Sequence, residues 1–163
     1  RRQRQMCIRD SVITVLNKIK TKIGSIDHRR VKSFSADWIN ALHIKAQTGA
    51  QPARTLSGGN QQKIVIAKWL ATDPKVLILD NPSQGVDVGA KEEIYGIIHR
   101  LAQEGVAIVV LSSEAQEIIR VCDSSLVMYH GRIVGHVSGE DMNEKHIMYL
   151  ATGGNQSEKE GAM

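Results

Sequence analysis

Residues 56–91 read LSGGNQQKIVIAKWLATDPKVLILDNPSQGVDVGAK, and the texture changes three times along them. Ser57, Gly58 and Gly59 open the stretch with a residue suited to the N-cap of a helix, followed by two without a Cβ. Lys63 to Ala71 is then apolar almost all round, which predicts a buried helix. Asp73-Pro74 breaks it, and Val76 to Leu79 is a short β-branched and leucine run that predicts a buried strand ending at Asp80.

Downstream, Ala90 to Gln103 is predicted helical, with Ile94, Ile97, Ile98 and Leu101 on one stripe. Val106 to Leu111 predicts a second buried strand and Ala115 to Val121 a short helix. Leu126 to Tyr129 and Ile133 to Val137 flank His130-Gly131 as a β-hairpin. Asn143 to Leu150 forms a last helix, and the polar, glycine-containing tail from Gly153 is expected to be disordered.

Upstream, residues 12–20 and 31–43 carry helical spacing, with Phe34, Trp38, Ile39 and Leu42 on one stripe and Gly24 and Asp27 between the two segments. Gln47 to Pro52 reads as a loop. Strand, helix, strand, helix, strand predicts an α/β domain with a mainly parallel sheet. In such sheets functional groups gather at the carboxyl ends of the strands.

Composition narrows the classes. The 163 residues are enough for one domain with a core; 42% are apolar and 23% charged, as in an ordinary soluble domain. The longest apolar run, Val106 to Leu111, falls far short of the roughly 20 residues that a membrane span needs. No signal peptide is recognisable behind the N-terminal arginines.

Cys7 and Cys122 form no CxxC pair and no ligand spacing with the histidines, so they read as unpaired thiols in a reducing compartment. The net charge is +4, but Arg1, Arg2, Arg4 and Arg9 against Asp10 account for +3 of it. Only 4% of the residues are aromatic. Nucleic-acid binding is therefore not expected. Residues 1–11 (RRQRQMCIRDS) resemble translated sequencing-adapter sequence, and a native basic helix start is the equal alternative.

Two places carry chemistry. A carboxylate directly after an apolar strand, as at Asp80, can hold a Mg²⁺ that bridges nucleotide phosphates; a turn residue before Pro82 is the competing reading. Ser57, Gly58, Gly59 and Asn60 at a helix N-terminus offer unpaired N–H groups and a partial positive charge, which suits a phosphate. A glycine-softened loop with an ordinary cap is the alternative there.

In order and spacing, LSGGNQQK, then VLILD ending at Asp80, then GVDVGAK (Gly85 to Lys91) resemble the ATP-binding cassette family from about Leu42 to Gly153. LSGGN matches the signature motif, VLILD the Walker B strand, and Val86-Asp87 the D-loop. Asn60, GVDVGAK and Ser112-Ser113-Glu114 resemble the second cassette of the carbohydrate-uptake branch.

The resemblance implies a partial P-loop NTPase fold, with ATP and Mg²⁺ as ligands. It implies Ser57, Gly58, Gly59, Asn60 and Asp87 at the nucleotide, Asp80 at the metal, and Asn81 and Ser113 at the catalytic positions. It further implies a partner cassette in the same chain or a second copy, a membrane permease, and indirectly a periplasmic or lipid-anchored sugar-binding protein. The location implied is peripheral, at the cytoplasmic face of the plasma membrane. A non-transport cassette acting on nucleic acid or ribosomes and a non-enzymatic α/β binding module are the competing functions.

Three departures from the family pattern stand out. No GxxxxGK[ST] phosphate loop occurs, so a truncated chain, inactive in isolation, is expected. Asn81 stands where the family has Glu and cannot act as a general base, so an impaired site is expected. Ser113 stands at the switch-histidine position, with helix capping by Ser112 and Ser113 as the plainer role.

The expected divisions are a non-native or disordered start at 1–11, part of the helical signature subdomain at 12–71, the C-terminal half of the ATP-binding core at 72–152 and a disordered tail at 153–163. Trp38 and Trp69 are expected in the core. The six histidines are expected at the surface or in turns, and Lys91-Glu92-Glu93 as a solvated first helical turn.

Overall fold

A computed structural model of the chain describes residues 26–154. The helix expected at 12–20, the assigned start at 1–11, Cys7 and all of the tail beyond 154 lie outside the described residues. The remainder divides into two compact units, 26–78 with 82–109 and 79–81 with 110–154.

The first unit opens with α1 (His28–Ala41), started by Asp27, whose Oδ1 accepts the N–H groups of Arg29 at 2.9 Å and Arg30 at 3.2 Å. Those bonds and the Arg30 guanidinium hold the Asp27 carboxyl below its ordinary value. Phe34 and Trp38 meet edge to face at 6.3 Å and pack against Val31 and Ala71, as the apolar stripe predicts.

After a short 3₁₀ turn (Ala53–Thr55), α2 runs Gly58–Leu70. It starts five residues before the apolar run, directly behind Ser57. Gly59, Lys63, Ile66 and Leu70 mark its buried face. Val65 and Trp69 lie on the opposite side at 47% and 50% exposure, with the Lys68 ammonium 5.1 Å from the Trp69 ring centre. Neither the all-round burial of this helix nor a core position for Trp69 is observed: the described elements cover one face of α2 only.

Strand β1 (Val76–Asp80) and strand β2 (Ala107–Leu111) are joined by α3 (Val88–Gln103). The Ala107 N–H donates to the Lys75 carbonyl at one end and the Asn81 N–H to the Leu111 carbonyl at the other. Low-numbered residues thus face low and high face high, so the pair is parallel, in line with the α/β expectation. Burial alternates along β1: Leu77 and Leu79 are buried, whereas Val76 and Ile78 are exposed. Burial on both faces was expected. Parallel strands are covered on both sides in complete α/β sheets, and the described residues cover one.

In the second unit, α4 (Ala115–Val121) precedes β3 (Ser124–Tyr129) and β4 (Arg132–Ser138), which pair antiparallel. Tyr129 pairs with Arg132 across a two-residue turn in which His130 and Gly131 both have positive φ, 45° and 75°. That is the turn whose twist matches a hairpin. Helix α5 (Glu144–Ala151) packs Ile147 and Leu150 with Ala115, Ile118, Val127 and Val137. Cys122 lies free and half-buried beside this cluster, its thiol pushed up by burial and by the charges of Asp123 and Glu117.

The approach of α2 to α3 leaves no room at Gly59. A Cβ there would lie 2.4 Å from the Ala90 Cβ. Alanine at this position is favoured by about 1 kcal/mol of helix propensity, but overpacking costs about 1–3 kcal/mol. Gly59→Ala is therefore expected to lower the thermal unfolding midpoint of the chain by several degrees; an unchanged or raised midpoint would contradict this packing.

Candidate functional site

The expected site residues fall into two groups, one in each unit. The first is the loop Ser57–Asn60 with the Gly85–Asp87 segment. A Cβ on Gly58 would lie 3.2 Å from the Gly85 carbonyl and 3.6 Å from the Val86 side chain. The signature-like and D-loop-like motifs, some 27 positions apart, are thus packed together. A Cβ would collide at Gly59 and fit tightly at Gly58, an internal constraint that stands beside the expected approach of a ligand.

Ser57 occupies the N-cap position of α2, extended at φ −61° and ψ 156°, but its side chain makes no capping hydrogen bond. Its Oγ instead accepts from the Asn60 Nδ2 at 2.8 Å. The Asn60 Oδ1 accepts the Lys45 N–H at 2.8 Å. The first-turn N–H groups of α2 therefore receive nothing from Ser57, and such groups are the ones a helix N-terminus directs at an anion. An open pocket of about 520 Å³ adjoins the loop, lined among others by Lys45, Gln47, Gln51, Thr55, Ser57 and Asn60. Asp87 is the N-cap of α3, its Oδ1 accepting the Ala90 N–H at 2.9 Å.

The second group follows the strands. Asp80 ends β1 with an exposed side chain, and the Asn81 Nδ2 donates to its Oδ1 at 2.8 Å. Asn81 has φ 46°, a left-handed conformation that asparagine tolerates better than most residues. Ser113 is exposed just beyond β2. Helix α4 is capped from Glu114 without a side-chain bond, while the Ser112 Oγ accepts the Glu114 N–H at 3.0 Å. The capping role considered for Ser112 and Ser113 is therefore not what they do.

Among the described residues no group of three or more His, Cys, Asp or Glu could hold a metal alone. A single exposed carboxylate fits Mg²⁺ nonetheless, because that ion keeps waters and takes phosphate oxygens as further ligands. No described helix is long and apolar enough to cross a membrane.

One interaction at the site has no counterpart in the sequence reading. Lys63, only 2% exposed at its side chain, places its ammonium 2.7 Å from the Glu93 Oε2 and donates to the His43 carbonyl at 3.2 Å. Lys45 approaches the other Glu93 oxygen at 3.8 Å. Glu93 is thus the counter-ion of a buried cation, whereas a plain solvated turn was expected. The signal was present in the spacing: Gly59, Lys63, Ile66 and Leu70 share one helical stripe, which puts Lys63 on the buried face.

The profile of the ABC transporter family matches residues 3–84, just over half of the chain. The chain belongs to the ABC transporter family. It is 46% identical over 150 residues to the ribose import ATP-binding protein RbsA of Halalkalibacterium halodurans, covering 91% of this chain and 30% of that protein. It is 50% identical over 131 residues to the protein of the same name from Bacillus subtilis, covering 80% and 27%. The chain thus spans under a third of the length of these curated relatives.

Among solved structures, a nucleotide-free ATP-binding cassette from an ABC transporter superposes with a TM-score of 0.71 at 20% identity, over 90% of this chain and 62% of that one. The dimeric structure of MJ0796, a bacterial ABC transporter cassette, gives 0.68 at 19% identity, over 82% and 56%. The fold is therefore the cassette ATPase fold, as the three ordered motifs predict.

The hydrogen bond and charge of Lys63 hold the Glu93 carboxyl below its ordinary value of 4.5, against a smaller upward push from burial. A lowered folded value stabilises the fold above the unfolded value and is lost as pH falls through the folded one. Glu93→Gln is expected to cost about 1–3 kcal/mol at neutral pH, less than a fully buried pair because Glu93 is half-exposed. The gap to wild type should close as pH falls below 4.5. Urea unfolding of both proteins at neutral and acid pH measures this; equal stabilities at neutral pH would remove the role assigned to Glu93.

Proposed function

We propose that this chain is part of the ATP-binding subunit of an ABC importer for sugars, in which ATP binding and hydrolysis drive carbohydrate uptake. The observation that carries the reading is the 46–50% identity to ribose import ATP-binding proteins across most of the chain. The geometry of the Ser57–Asn60 loop supports it. In this reading residues 12–71 belong to the helical signature subdomain and 72–152 to the ATP-binding core.

The protein works with a partner cassette and a membrane permease at the cytoplasmic face of the membrane, and indirectly with a sugar-binding protein. The nucleotide it contacts through Ser57, Gly58 and Gly59 is held on the phosphate loop of the partner cassette. The Ser57 hydroxyl and the first N–H groups of α2 donate to phosphate oxygens, adding charge-assisted hydrogen bonds and the positive end of the helix dipole. Asp87, holding the start of α3, keeps the neighbouring Gly85–Val86 segment against Gly58.

Asp80 and Asn81 serve the opposite nucleotide. When bound, Mg²⁺ would neutralise phosphate charge next to Asp80. The Asn81 amide steadies the Asp80 carboxylate but cannot take a proton from water. Ser113 offers a neutral hydrogen bond where the family carries a titratable ring. The arrangement therefore supports one competent and one impaired ATP site.

Two substitutions in the natural full-length protein test this. Ser57→Ala should lower ATP hydrolysis and sugar uptake together, by roughly tenfold to hundredfold for one lost charge-assisted bond; undiminished hydrolysis would refute the phosphate-contacting role. Asn81→Glu should raise hydrolysis at the second site until it matches the competent one, about doubling total turnover. Unchanged turnover would show that Asn81 does not limit the second site.

A further inference from the structure

We propose that Asn60 is a positioning residue, which presents the Ser57 hydroxyl to the nucleotide phosphate as a hydrogen-bond donor and does not itself contact the nucleotide. The inference rests on the reading of the Ser57–Asn60 loop as phosphate-contacting. Its basis is the direction of two hydrogen bonds.

The Lys45 N–H lies 2.8 Å from the Asn60 side chain, and a backbone N–H can only donate. The atom facing it must therefore be the amide oxygen, which turns the NH₂ end towards Ser57. That end donates to the Ser57 Oγ at 2.8 Å. A hydroxyl that accepts from one side points its own proton elsewhere. No described residue takes that proton, and the Ser57 side chain makes no capping bond.

The consequence is a surface rich in donors. An N-cap serine ordinarily spends its oxygen on a helix N–H. Here the oxygen accepts from the Asn60 NH₂ and from no helix N–H, which leaves the Ser57 proton and the first-turn N–H groups of α2 to donate. An anion is the ligand such a surface selects. Asn60 also anchors this arrangement from outside the helix, since Lys45 lies 15 residues upstream on the wall of the adjoining pocket.

The test is a double-mutant cycle on ATP hydrolysis by the natural full-length protein, with thermal unfolding recorded for each variant. Asn60→Ala should reduce hydrolysis about tenfold in the wild-type background and less than twofold in the Ser57→Ala background, because Asn60 acts through Ser57. Losses that multiply across the two backgrounds would overturn the proposal, showing that Asn60 either touches the nucleotide or merely supports the fold. A Ser57→Ala variant with wild-type hydrolysis would instead refute the underlying reading of the loop, and the proposal with it.

Should Asn60→Ala fail to fold, Asn60→Asp answers the same question. Aspartate keeps an acceptor for the Lys45 N–H but must accept from Ser57, turning its proton inward. A loss of tenfold or more with an unchanged unfolding midpoint supports the proposal; wild-type hydrolysis would overturn it.

Discussion

A buried ammonium has to be compensated, and around Lys63 that requirement ties the signature helix to the rest of its unit. Removing a charge from water is tolerated only when partners replace the hydration. Glu93 on α3 and the His43 carbonyl ahead of the signature segment supply them. The same contact sets α2 close enough to α3 for Gly59 to meet Ala90, and Gly58 to lie against Gly85. The Ser57–Asn60 loop is thereby packed against the Gly85–Val86 segment and the start of α3. The polarity of the site follows from how the helices pack beneath it.

The other group depends on the strand ends. Asp80 and Ser112-Ser113 project from neighbouring parallel strands because β1 and β2 run the same way and stop together, the Asn81 N–H bonding to the Leu111 carbonyl. In an α/β sheet that edge is where loops gather functional groups. Asn81 stands there in a left-handed conformation with its amide spent on Asp80. An amide at this position cannot take a proton from water, and it restrains the Asp80 carboxylate.

The exposed apolar faces have the same origin. Val76 and Ile78 on β1 are exposed in alternation with buried Leu77 and Leu79, and Leu126 and Met128 on β3 flank buried Val127. Parallel strands such as β1 are made for cover on both sides, whereas an antiparallel pair such as β3–β4 can leave one face to solvent. In a chain spanning under a third of its curated relatives, the described elements cover one side. The expectation of buried strands is met by Leu77 and Leu79 and not by Val76, Ile78 or the residues of β2.

The sequence by itself determined the order of elements, the parallel β1–α3–β2 unit, the hairpin at His130-Gly131 and the family. These rest on local signals: apolar period, a proline break, a His-Gly pair between two strand-like runs, and three motifs in fixed order. Only the tertiary structure decided why Gly58 and Gly59 are glycines, that Asp87 caps a helix, that Asn60 faces Ser57 and Lys45, and that Glu93 answers Lys63. The Asn60–Lys45, Lys63–Glu93, Gly58–Gly85 and Gly59–Ala90 contacts join residues far apart in the chain, while the Asp87 cap and the Asn60–Ser57 bond span three residues each and depend on the local conformation. A side chain's hydrogen-bond direction depends on which donor or acceptor the fold places opposite it, and no local pattern carries that information.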